Sequence, residues 1–324
     1  MKTIAAAVRS MRHACIGSLA ILCLMGNAVA ADEPAQRPLV GRTQVLAGAQ
    51  LTVEPTGIFP QPRTAVTGYL PFISPVAVAA RNNILYFVDS GHRQVFRYDP
   101  ARLSMVRFAD AVTGTASAIA VGPDLSLYVA EPGTGQVLHY SWDGRPLPSF
   151  RHEPALRQPV GIVVDESSGQ VFVADSLYNH VVVFNGLGRA LELLRPEEAK
   201  SIESMARGPD GLYVADRLGR QVVVMALDGR DLYSFGNEDL KMPHAITVDR
   251  FNRVFVSDDF DNTIKVFQDR ELIATIGGSG ASPANFNRIA FLSLDRNTLY
   301  VADSLNGRIQ SLQLSTVPVR RPGQ

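Results

Sequence analysis

The sequence predicts an all-β protein, a six-bladed β-propeller of four-stranded blades whose ring is closed by an N-terminal strand. Three regularities predict it. First, a five-residue motif recurs six times, ending at Asp89, Glu131, Asp175, Asp216, Asp258 and Asp303, with spacings of 42, 44, 41, 42 and 45 residues. A period of about 40–45 residues with four strands per repeat is that of a propeller blade. Second, Val95, Val137, Val181, Val222, Ile264 and Ile309 each stand six residues after the acid, so one fixed loop joins two strands in every repeat. Third, turn pairs such as Asp143-Gly144 and Asp228-Gly229 punctuate the apolar runs, as hairpins require.

Within the motif, position two is always aromatic (Tyr86, Tyr128, Phe172, Tyr213, Phe255, Tyr300). Position four is small or β-branched (Val88, Ala130, Ala174, Ala215, Ser257, Ala302). Alternate residues of a strand face opposite ways, and here both faces are apolar, so the motif strand is covered on both sides. A strand precedes each motif, over 76–80, 118–121, 161–164, 245–248 and 288–292, with a weaker counterpart at 204–207. A fourth strand ends most repeats, as over 231–236 and 272–277. The sixth repeat supplies only three strands, ending near Leu314, while an unclaimed apolar stretch runs from Thr43 to Ala47. An open ring would leave two sheet edges exposed, so residues 43–47 are expected to complete the last blade.

The ends frame this ring. Lys2, Arg9 and Arg12 precede a twelve-residue run, Ala14 to Met25, that is apolar apart from Ser18, and Ala28-Val29-Ala30 follows. This is the plan of a secretory signal peptide cleaved after Ala30, and the run is too short to span a bilayer as an uncleaved anchor. The expected organisation is a signal peptide over 1–30, a flexible leader over 31–42, a propeller over 43–315 and a tail over 316–324. A periplasmic or secreted location through a Sec-type route follows. Both cysteines, Cys15 and Cys23, lie in the signal, so the mature chain has no thiol for a disulfide, a zinc site or nucleophilic chemistry. Removing Lys2, Arg9 and Arg12 leaves 28 basic and 31 acidic side chains, a net of −3. That is not the basic footprint of a nucleic-acid binder. No membrane span is expected after cleavage, and the chain reads as a monomer.

The repeat resembles that of the NHL-repeat β-propellers, which runs Pro-x-Gly-Ile-Ala-Val-Asp, then Tyr-Val-Ala-Asp, then Arg-Ile-x-Val-Phe. Residues 159–165 (Pro-Val-Gly-Ile-Val-Val-Asp) followed by Val173-Ala174-Asp175 are close to it, as is the stretch from Gly277 through Phe286 to Asp303. The likeness covers about residues 72 to 315 and looks like that of an exported bacterial-type NHL protein. WD-type propellers are set aside because Trp142 is the sole tryptophan and does not recur. The resemblance implies that the loops entering strand one share a face with those joining strands two and three. Binding scaffolds, sensor domains, lyases and hydrolases all occur on this architecture, so function must be argued from the site.

Spacing places six entry positions near a central channel: Val76, Ser117, Val160, Glu203, His244 and Asn287. Three neighbours among them, Glu203, His244 and Asn287, are polar, and polar groups converging at a concave centre are where a site is sought. Met242-Pro243-His244 resembles the Pro-His element that supplies zinc ligands in amidating-lyase relatives, which repeat it on three blades. It occurs once here. His244 and Glu203 are the candidate metal ligands, two of the three protein ligands a catalytic zinc takes. The unequal loops add Arg217, Arg220, Arg308, Asp259, Asp261, Tyr178 and His180 as ligand-binding candidates, while Asp259 and Asp261 alone are too few for calcium. The motif acids are read as structural, since chemistry needs a group once and carboxylates in turns bind backbone N–H groups. The expected function is an exported, non-enzymatic scaffold that binds a protein or small molecule through its loop face, with no cofactor. The alternative is a metal-dependent lyase or lactone hydrolase acting at the channel mouth.

Overall fold

The computed structural model describes residues 39–53, 65–109 and 114–316. The expected signal peptide, most of the leader and most of the tail lie outside the described residues. Each motif strand is the second of a four-stranded antiparallel blade. Blade four shows the plan, with strands Ile202–Gly208, Gly211–Asp216, Gln221–Met225 and Asp231–Phe235. The first strand of every blade packs against the first strand of the next, and that of blade six against blade one, so first strands line a central channel.

The motif's two apolar faces serve two different seams. In blade four Leu212 and Val214 pack into the seam with blade three, while Tyr213 and Ala215 pack into the seam with blade five. Blade six repeats this, with Leu299 and Val301 against blade five and Tyr300 and Ala302 against blade one. Six seams hold six apolar clusters. A buried aromatic or aliphatic side chain contributes about 1.5–3 kcal/mol by leaving water. Alternating large and small residues lets neighbouring sheets approach closely, which is why position four stays small.

The closing strand is Val40–Leu46. It pairs antiparallel with the last strand of blade six, Arg308–Leu314, from Val40 opposite Leu314 to Leu46 opposite Ile309. Ordered sheet therefore starts three residues ahead of Thr43, inside the segment read as leader. A hairpin that the sequence reading missed follows, Gly48–Val53 with Ala65–Pro71. It joins blade one through a two-residue parallel pairing to the fourth strand, Gln50 with Ser104 and Leu51 with Met105. Ala49, Leu51 and Phe72 then bury themselves in the seam between blades six and one, where the two ends of the ring meet.

The motif acids are buried and tie the two loops of each blade together. Asp216 accepts from the N–H groups of Lys200 and Ser201 before strand one, and from Gly219 and the Gln221 amide after strand two, at 2.9–3.2 Å. Asp175 does the same with the N–H groups of Arg157, Gln158 and Tyr178. Asp89 takes Ile73, Ser74, Gly91 and His92. Repetition of the acid thus follows from repetition of a loop that has to be held.

Candidate functional site

Strand one of five blades enters its sheet through a β-bulge. In blade four Ile202 lies opposite Asp216 and Ser204 opposite Ala215, so Glu203 has no partner. Val76, Val160 and Ala290 are skipped in the same way, and His244 together with Ala245 in blade five. Ser117 precedes the first strand of blade two at the matching place. Bulges re-aim side chains, and here they turn one residue per blade toward the channel. The result is a ring of Val76, Ser117, Val160, Glu203, His244 and Ala290, around a depression of about 240 Å³.

This register corrects one expected member. Asn287 is not in the ring; Ala290 is. Blade six carries the longest spacing, and counting by sequence period slips by three residues there. The Asn287 N–H donates to Asp303 at 2.7 Å, so this residue belongs to the loop-pinning system.

Phe291 closes the floor of the depression. The matching positions in other blades are Ala77, Ala118, Gly161 and Ser204, each set opposite position four of its motif. Only blade six puts a large ring there, opposite Ala302. Phe291 packs against the clusters of seams six–one, one–two and two–three, so its ring reaches across the channel. At the other end of the first strands, Arg81 of blade one meets Glu166 of blade three at 2.6 Å, which spans the far mouth. The depression is a cup rather than the entrance of an open pore.

The polar groups of the cup lie on one arc. His244 Nδ1 stands 3.5 Å from Glu203 Oε2, with both side chains about a quarter exposed (26% and 28%). That nitrogen is shielded from solvent and makes no hydrogen bond. Arg288 lines the cup beside them, and its backbone N–H donates to Asn262 Oδ1 at 2.9 Å. Across from this arc the hydroxyls are engaged: Ser117 donates to the Pro159 carbonyl at 2.8 Å, and Thr115 to Glu131 at 3.3 Å. Glu203, His244 and Arg288 thus line the cup with no hydrogen bond to their side chains among the described residues.

The remaining candidates divide between the loop surface and the frame. Arg217 and Asp259 pair at 2.8 Å and bridge blades four and five. Asp261 binds Thr263 and Lys265, both at 2.6 Å. Burial pushes its carboxyl up, but those two partners outweigh this and hold it below the usual range. Arg220 and Tyr178 are exposed, the Tyr178 ring lying 5.7 Å from that of His180. His180 and Arg308 are not available to a ligand. His180 is buried as the first residue of a third strand, and its ring bonds to the Ala155 carbonyl at 2.5 Å. Arg308 is buried too; it bonds to Asp303 at 2.6 Å and to the carbonyls of Ala281, Ser282 and Asn285. It holds the long connection into blade six, where any Cβ on Gly277 (φ 87°) would strike the Phe286 ring.

The residues present do not make the zinc set implied by the lyase relatives. The ring positions of the other blades offer Val76, Ser117, Val160 and Ala290 beside Glu203 and His244. Among the described residues no three His, Cys, Asp or Glu gather in a metal-holding group. A three-ligand site with an open position is therefore not formed by these residues. Asp259 and Asp261 are likewise taken up by Arg217, Lys265 and Thr263.

Comparisons with known proteins agree on the architecture. The family profile described as the NHL repeat matches residues 156–184, the first three strands of blade three with the loop before them. No curated protein is a significant match. Among solved structures, virginiamycin B lyase from Staphylococcus aureus superposes with a TM-score of 0.60 at 9% identity, over 85% of this chain and 100% of that one. A catalytically inactive histidine-to-alanine variant of that lyase, determined with quinupristin, gives 0.61 at 10% identity with the same coverage. A protein of unknown function from Bacteroides thetaiotaomicron gives 0.63 at 15% identity, over 85% of this chain and 76% of the other. At these identities the likeness is one of fold.

Proposed function

We propose that this chain, an NHL-repeat β-propeller, is a non-enzymatic binding protein that takes a small ligand in the cup at the mouth of its channel. The observation that supports this is the convergence of three uncommitted polar side chains, Glu203, His244 and Arg288, on a closed-bottomed depression. A rigid frame that fixes a few side chains at its centre lowers the ordering cost of binding. The surrounding loops, with the Arg217–Asp259 pair, Arg220 and Tyr178, form the outer rim against which a larger partner rests. The signal-peptide plan of residues 1–30 supports action outside the cytoplasm, in the periplasm or beyond the cell. No helix among the described residues is long and apolar enough to cross a membrane.

Thermal-shift screening of the mature protein against small polar metabolites tests this reading, repeated on Val160→Trp, which fills the cup. Compounds that stabilise the wild type and lose their effect in the variant support it. Stabilisation that persists in Val160→Trp puts the binding elsewhere and refutes it.

A second reading has one observation in its favour. An imidazole with one nitrogen turned to a carboxylate can act as a general base through the other, and lyases share this fold. Quinupristin, the compound held by the inactive lyase variant, is the natural probe. Its consumption by the wild type but not by His244→Ala, followed by chromatography, would favour the enzyme.

A further inference from the structure

The cup has a polarity of its own. Glu203 comes from blade four, His244 from blade five and Arg288 from blade six, so an acid, a histidine and an exposed arginine from three consecutive blades line the cup. Neither charge has an opposite partner within ion-pairing reach among the described residues, apart from the Glu203–His244 contact at 3.5 Å. Facing them are Val76 and Val160, with Ser117 between them, its hydroxyl bonded to the Pro159 carbonyl, and the Phe291 ring beneath. The groove between blades four and five differs, because Asp210 there already accepts from both Tyr213 and Tyr233.

We propose that the cup binds a free α-amino acid with an aliphatic side chain of about leucine size. Its ammonium would meet Glu203, its carboxylate Arg288, and its side chain the Phe291, Val76 and Val160 surface. This rests on the reading of the cup as a ligand site. Three features select the class. An ammonium satisfies the lone carboxylate and a carboxylate the lone guanidinium, each by a charge-assisted bond. A ligand with one charge leaves the other group without a partner, which costs affinity. The Val76, Val160 and Phe291 surface offers no charged partner to a second ionic end. The volume matches as well: 240 Å³ equals the space of about eight waters at ~30 Å³ each, and leucine has nine non-hydrogen atoms.

Calorimetric titration of the mature protein with L-leucine, N-acetyl-L-leucine and L-leucinamide tests the assignment. The wild type is expected to bind leucine at least about tenfold more tightly than either derivative, since a bond to a charged group is worth about that factor or more. Glu203→Gln should abolish the preference over N-acetyl-leucine, and Arg288→Gln the preference over leucinamide. Val160→Trp and Val76→Phe should both lose leucine, with circular dichroism verifying that they fold. Equal binding of all three compounds, lost on filling the cup, would overturn the zwitterion assignment and leave the binding site standing. Leucine binding unchanged in both filled variants would overturn the assignment and the site together. Absence of binding by all three compounds would overturn the assignment alone, since the wider metabolite screen then decides the site.

Discussion

Replacing a motif acid measures whether it holds the blade or does chemistry. Asp216 is fully buried and accepts four hydrogen bonds, three from backbone N–H groups and one from Gln221. A bond to a charged acceptor contributes about 1.5–3 kcal/mol. Four would come to roughly 6–12 kcal/mol if none of the donors found a new partner. Lys200 is exposed and Ser201 and Gly219 are half-buried, so water reaches part of what Asp216→Ala releases. The expected loss is about 3–5 kcal/mol for Asp216→Ala, and about half that for Asp216→Asn, which keeps one accepting oxygen. Asp175→Ala should cost a similar amount, because Asp175 holds three N–H groups in the same way. Equilibrium urea unfolding reads these values, with the slope unchanged if the native state is intact. A loss under about 1 kcal/mol in Asp216→Ala would refute the loop-holding role, because even one such bond exceeds it.

Four further outcomes are expected. A chain beginning at Tyr69 lacks the closing strand, and with it a six-pair ladder at about 1 kcal/mol per bond, so its thermal midpoint should fall by more than ten degrees; an equal midpoint would deny that the ring is tied there. Burial pushes the Asp165 carboxyl up, but bonds from Ser167, Ser168 and Arg207 outweigh this and hold it far below its usual range. Its contribution to stability is complete above the unfolded value of about 3.9 and is lost as pH falls through the lower folded one, so Asp165→Asn should flatten the acid limb of the stability profile below pH ~4. Arg308→Lys cannot reach three carbonyls and Asp303 at once; hydrogen exchange should quicken over residues 278–287, and an unchanged pattern would count against its anchoring role. Chelator should leave the thermal midpoint where it is, whereas stoichiometric zinc lost in Glu203→Ala would favour the metal enzyme.

The ring was legible in the sequence because its causes are periodic. An aromatic at position two and a small residue at position four must recur wherever one blade packs on the next, and the Asp recurs wherever a loop must be held. The closing strand was legible for a different reason, as an apolar stretch left over beside a blade that lacked a strand. The hairpin over 48–71 was not legible, because it occurs once and its strands have no counterpart in the repeat. The site was half legible. Glu203 and His244 stood out as polar breaks at apolar positions, but the third member failed. Counting by period put Asn287 in the ring, while the bulge register puts Ala290 there and brings Arg288 to the rim. Phe291 was readable in principle, as a large residue where the other blades carry alanine, glycine or serine. His180 and Arg308 misled because a polar residue after the motif acid looks like a loop group, and burial, which decides their role, is a property of the folded blade.

The five histidines from His92 to His244 are separate reporters, since among them only His244 lies in the cup. His180 is buried in blade three, His139 stacks on Tyr128 at 4.4 Å, and His92 bonds to the Pro71 carbonyl at 2.9 Å. Their imidazole carbon–proton signals, resolved by NMR and assigned by single substitutions, can be followed while L-leucine is added. The account predicts a saturable shift of the His244 signal, with those of His92, His139, His152 and His180 unmoved. Saturable movement at any of the other four, with His244 still, would contradict it.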